Sequence, residues 1–186
     1  MPLEILERKW DHVVIDFVTG LPEEDGMNTI FTVVDKATKM YHFIACTDRI
    51  TAKETAKLYW QHVGRLHWIP RVIISDRDPR FTRRYWRELW HLLGIDLRMG
   101  SGFHPQSSGQ VEKFNQLLEQ TLRCKIHQGG GAKKWTEMLA HIEYAVNQTP
   151  NRTTGYSAFY LNYGYHPLNP VQMLGGAHDT ANEVVQ

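Results

Sequence analysis

The chain has 186 residues, about one domain's worth, and its 42% hydrophobic and 22% charged content is that of an ordinary globular protein. This composition excludes a disordered tail, a collagen-like fibre and a simple coiled coil, and apolar runs as short as Phe43 to Cys46 cannot span a bilayer. The net charge is only +1, yet seven arginines stand against four acids between Arg71 and Arg98, so a polyanion would meet the middle of the chain.

The opening MPLEILERKW mixes acids and bases where a signal peptide needs an apolar stretch, so an intracellular location is expected. Cys46 and Cys124 are far apart and no C-x-x-C occurs, which excludes a disulfide framework and a cysteine-rich zinc site. The ten histidines are scattered. His62 and His67, the closest pair, lack the cysteines of a small zinc module.

Taken in order, His12 to Val18 predicts a strand, with Val13, Ile15 and Phe17 on one face and Val14, Asp16 and Val18 on the other. Thr29 to Val34 and Tyr41 to Cys46 predict two more, and the short links suggest an antiparallel meander. Thr51 and Glu54 form a capping-box pattern that opens a helix to about Leu66. Arg71 to Ser75 predicts a fourth strand, Thr82 to Leu93 a helix stopped by Gly94, and Ile95 to Met99 a fifth strand. Gly100 to Gly109 reads as a mobile loop. Val111, Phe114, Leu118, Leu122 and Ile126 then mark an amphipathic helix to about His127. A last long helix covers Ala132 to Asn147, with Trp135, Leu139, Ile142 and Val146 as its buried stripe, and a short one lies near Ser157 to Asn162. Strands that first meander and then alternate with helices predict a mixed α/β layer fold.

Three carboxylates stand out. Asp16 interrupts the apolar strand VVIDFV, where an ionised group is costly unless something replaces its water. Asp76 follows the apolar run VII at the carboxyl end of its strand, the edge at which open α/β sheets bind ligands. Glu112 opens a helix directly after the glycine-rich loop. Each has a plain alternative: Asp16 paired with a buried arginine, Asp76 capping the turn before Pro79, Glu112 favoured by its helix dipole. Together they make an oxygen-ligand set suited to Mg²⁺ or Mn²⁺. Two such ions about 3.5–4 Å apart promote phosphoryl transfer, with Asp16 bridging both and Asp76 and Glu112 each completing one side.

From Trp10 to Pro167 the sequence resembles the integrase catalytic core of gypsy-type long-terminal-repeat retrotransposons. The landmarks are Trp10, Ile15-Asp16-Phe17, Val34-Asp35, Thr38-Lys39, His42-Phe43, Ile74-Ser75-Asp76-Arg77-Asp78, Phe81 and Trp86. They continue through His104-Pro105-Gln106, Gly109-Gln110, Glu112, Asn115, Trp135, Asn147 and Tyr163-Gly164. Thirty-five residues separate Asp76 from Glu112, the spacing of the family's DDE signature. Three positions depart from the usual pattern: Ser107-Ser108 before Gly109, Gln116 where a basic residue is frequent, and Ala158 where proline is frequent.

The resemblance implies a ribonuclease-H-like mixed five-stranded sheet flanked by helices, between a lead-in over residues 1–9 and a loop-rich tail over residues 168–186. It implies Mg²⁺, with Mn²⁺ as substitute and two ions in the site, held by Asp16, Asp76 and Glu112. The implied reactions are 3′-end processing of element DNA and strand transfer into target DNA, in the nucleus. DNA contacts are expected from Lys113, Gln116, His104, Gln106 and Arg77. The core is expected to self-associate through an apolar helix face carrying Trp60 or Trp135, with no membrane and no small-molecule substrate. The family's zinc module and C-terminal module are not within the chain, which reads as a core excised from, or left by, a longer element. Two other readings compete: a decayed or domesticated domain that binds DNA or protein without catalysis, and a ribonuclease-H-like nuclease.

Overall fold

A computed structural model describes residues 8–75, 88, 91–94, 118, 122, 134–151 and 154–167. The predicted meander forms as β1 (His12–Val18), β2 (Thr29–Asp35) and β3 (Tyr41–Cys46), all antiparallel, and β4 (Val72–Ser75) joins the free side of β1 in parallel. The resulting order is β3-β2-β1-β4. The fifth predicted strand, over residues 95–99, lies outside the described residues, as do the glycine-rich loop over 100–109 and the tail over 168–186.

Every residue of β2 is buried, because the sheet is covered on both faces. On one face Val13, Ile15, Phe17, Phe31, Val33 and Ile44 pack with Tyr59 and Val63 of the helical run after β3. On the other, Val14, Val18, Ile30, Val34 and Phe43 pack with Leu118, Leu122, Trp135 and Leu139. The period-two alternation of β1 assigns its side chains to these two faces as predicted.

The capping box at Thr51 is complete: its hydroxyl accepts from the Glu54 N–H, and the Glu54 carboxylate accepts from the Thr51 N–H at 2.8 Å. The helix it opens is not uniform. It runs as α1 (Ala52–Tyr59), a π-helical turn (Trp60–Gly64) and a last turn α2 (Arg65–His67). Trp68 follows at φ 58° and ψ −163°, a backbone region that a bulky side chain rarely occupies. Gly94, at φ +70°, takes the left-handed conformation expected of a helix stop.

The long helix α3 (Trp135–Gln148) is anchored at its start to the β1–β2 turn, where the Trp135 indole N–H donates to the Pro22 carbonyl at 2.8 Å. Its end is anchored to β3 by Asn147, whose side chain accepts from the Tyr41 N–H and donates to the Tyr41 carbonyl, both at 2.8 Å. The edge of β3 is thus paired by an amide side chain. A short helix α4 (Ala158–Tyr163) is capped by Ser157 and closed by Gly164 at φ 83°.

Candidate active site around Asp16

Asp16 is the fifth residue of β1 and is only partly buried, unlike the valines and isoleucine around it. Alternation puts its side chain on the face of Val14 and Val18, where Leu118 and Leu122 also pack. The Phe17 N–H donates to its Oδ1 at 2.8 Å. Across β2 its partner is Thr32, which is fully buried and whose hydroxyl has no hydrogen-bond partner. On the other side β4 runs parallel in the register His12↔Val72 to Ile15↔Ser75.

Of the predicted metal ligands, Asp16 alone is among the described residues; Asp76 and Glu112 lie outside them. So do the predicted DNA contacts Lys113, Gln116, His104, Gln106 and Arg77. Among the described residues no three histidine, cysteine or acidic side chains gather as a metal site. A carboxylate within reach of solvent, with one oxygen held by a backbone N–H, fits a hard divalent cation that keeps some of its water.

One expectation is corrected. Trp135 has no exposed surface because its ring is packed on the sheet and its N–H is used by Pro22, so it cannot supply a self-association face. Trp60 is 53% exposed.

His67 meets His42 of β3. Their Nε2 atoms are 3.0 Å apart, so one donates and the other accepts. His42 Nδ1 lies 3.0 Å from Glu143, whose other oxygen accepts from the Phe43 N–H at 2.8 Å. The Trp10 ring stacks on His67 with centroids 3.7 Å apart, and burial, aided by His42, pushes the His67 pKa down to about 4. The pair ties β3 to α2 and α3 and has no part in the Asp16 site.

Thr32 was not singled out from the sequence. Its signal was a hydroxyl inside the apolar strand TIFTVVD, and only the β1–β2 register gives that hydroxyl a meaning.

Comparison with known proteins bears on the family and the fold. The Integrase core domain family matches residues 7–105. The Tf2-3 and Tf2-4 transposon polyproteins of Schizosaccharomyces pombe are each 32% identical over 173 residues, covering 92% of the chain. The chain spans 13% of the length of those polyproteins. The crystal structure of the catalytic core domain of BIV integrase superposes with a TM-score of 0.55, covering 82% of this chain and 93% of that one, at 19% identity. The fold is therefore the ribonuclease-H-like arrangement of a mixed sheet with flanking helices. By its sequence and its fold, the chain belongs to the integrase core domain family.

Proposed function

We propose that this chain is the catalytic core of a gypsy-type retroelement integrase that processes DNA 3′ ends and joins them to target DNA, acting in the nucleus as a homo-oligomer. The observation that carries the reading is the register of β1 and β4. The two strands run parallel as far as Ile15↔Ser75, and Asp16 and Asp76 are the next residues of the sequence after these two. Glu112 belongs to the amphipathic pattern that includes Leu118 and Leu122, and both leucines pack on the Asp16 face.

Asp16, Asp76 and Glu112 would hold two divalent cations, which supply charge neutralisation at phosphorus and an activated attacking oxygen. The chain's own part is positional. Its carboxylates fix the scissile phosphate at the end of a rigid sheet, and Arg77, His104, Gln106, Lys113 and Gln116 steady the strand through its backbone. The displacement needs no covalent enzyme intermediate.

The test is joining activity on a preassembled branched DNA with Mn²⁺. Glu112→Gln should abolish turnover and leave the circular dichroism spectrum unchanged. Full Mn²⁺-dependent activity in that variant would refute the assignment. Equal cleavage of an RNA–DNA hybrid, with no DNA joining, would favour the nuclease reading.

A further inference from the structure

Thr32 lies in the middle of β2 with no exposed surface, and its hydroxyl is the one buried side-chain polar atom among the described residues that lacks a hydrogen-bond partner. Such an atom costs stability, and proteins seldom keep one without a use. Valine would fill nearly the same volume in this apolar strand. Thr32 faces Asp16 across β1 and Phe43 across β3, with Ile30 and Val34 beside it on the same face. Of these four neighbours Asp16 alone is polar. Side chains directly opposite in an antiparallel pair have Cβ atoms about 4.5–5.5 Å apart, so a turn about the threonine χ1 carries its proton toward the carboxylate.

We infer that Thr32 is a positioning residue for Asp16: its hydroxyl donates to the Asp16 carboxylate and holds it in the orientation that receives a divalent cation. The inference rests on the proposed role of Asp16 as a metal ligand. Partners that orient a metal-bound carboxylate are worth about ten- to a hundredfold in metal affinity, although they never touch the metal. The χ1 turn lets the hydroxyl pass between its orphaned position and donation to the ionised carboxylate, and a bound cation would fix the donating one, which sets a small stability cost against a prepared site.

The experiment compares the unaltered protein with Thr32→Val, Thr32→Ser and Asp16→Asn. The readouts are chemical denaturation, Mn²⁺ binding followed by calorimetry, and titration of the Asp16 carboxyl by carbon NMR in the metal-free state. Thr32→Val should raise the denaturation midpoint, weaken Mn²⁺ binding about tenfold, and shift the Asp16 titration upward, because a donor to the ionised form is lost. Thr32→Ser, which keeps the hydroxyl, should restore both the affinity and the titration. A solely structural threonine would change the midpoint alone. An unchanged Asp16 titration in Thr32→Val overturns the inference whatever the metal does, and a shifted titration with unchanged Mn²⁺ affinity overturns the positioning role. If Asp16→Asn binds Mn²⁺ as tightly as the unaltered protein, the metal reading fails on its own, and the titration still decides whether Thr32 donates.

Discussion

Two aspartates of the same sheet live in opposite circumstances. Asp35, at the end of β2, has no exposed surface, and its carboxylate accepts from the Trp10 N–H, the Thr38 N–H and the Thr38 hydroxyl at 2.7–2.9 Å. Asp16, on the neighbouring strand, is open to solvent on one side and sits beside a threonine hydroxyl that bonds to nothing. Asp16 interrupts an apolar run and Asp35 ends one, and both are among the family landmarks. A carboxylate closed off by donors from its own chain is part of the scaffold, because three hydrogen bonds tie it to Trp10 and to the turn at Thr38. A carboxylate only partly buried, opposite a hydroxyl that has no partner, is the one we propose for ligand binding.

Exchanging the charge at each position should separate the two roles. Asp16→Asn should lower DNA-joining activity by about a thousandfold or more, a loss of roughly 4 kcal/mol at the transition state, while stability stays within about 1 kcal/mol. Paired denaturation and joining assays read both. Asp35→Ala should do the reverse: about 3 kcal/mol of stability lost, because the Trp10 and Thr38 donors are left buried without an acceptor, and joining per folded molecule largely kept. If Asp35→Ala unfolds nothing and Asp16→Asn unfolds the chain, the comparison is the wrong way round.

The sequence made one of these aspartates more legible than the other. Asp16 could be singled out because an acid inside VVIDFV violates the strand's own pattern. Asp35 stood at a strand end, where an acid is unremarkable, and its three donors come from residues whose placement depends on the β2–β3 corner and on Trp10. Elements governed by local chemistry were equally readable: the strand alternation, the Thr51 capping box and the stop at Gly94. What escaped depends on register or on distant partners. The His42–His67 pair joins residues 25 apart, the Asn147 bonds to Tyr41 span 106 positions, and the meaning of Thr32 appears only when β1 is laid against β2. The π-helical turn has no sequence signature that we can identify.

A smaller effect comes from the scaffold side of the comparison. Trp68 is 65% exposed and held at positive φ, so Trp68→Gly removes backbone strain without emptying the core and should raise stability by about 1 kcal/mol. Denaturation midpoints would show it, and a loss of stability would mean that the exposed ring makes contacts worth more than the strain.

The scaffold side also carries a pH dependence. The His67 pKa in the folded chain is pushed down to about 4, below its ordinary value of 6.5, so the unfolded chain takes up that proton first. Stability from this group is therefore complete above about pH 6.5, falls as the pH drops through that value, and levels off near the folded pKa. His67→Gln should flatten stability between those limits, with Trp10 fluorescence as a local reporter of the stack. An unchanged pH profile would remove the buried pair from the scaffold's acid sensitivity.

The central claim, that Asp16 is prepared for a metal it shares with Asp76 and Glu112, is tested most directly by anomalous diffraction from crystals soaked in Mn²⁺. The account predicts a peak about 2.1 Å from an Asp16 carboxylate oxygen, the distance typical of a small hard cation, with Asp76 and Glu112 completing its shell. Strong Mn²⁺ peaks elsewhere with none at Asp16, or three carboxylates that do not converge, would contradict it.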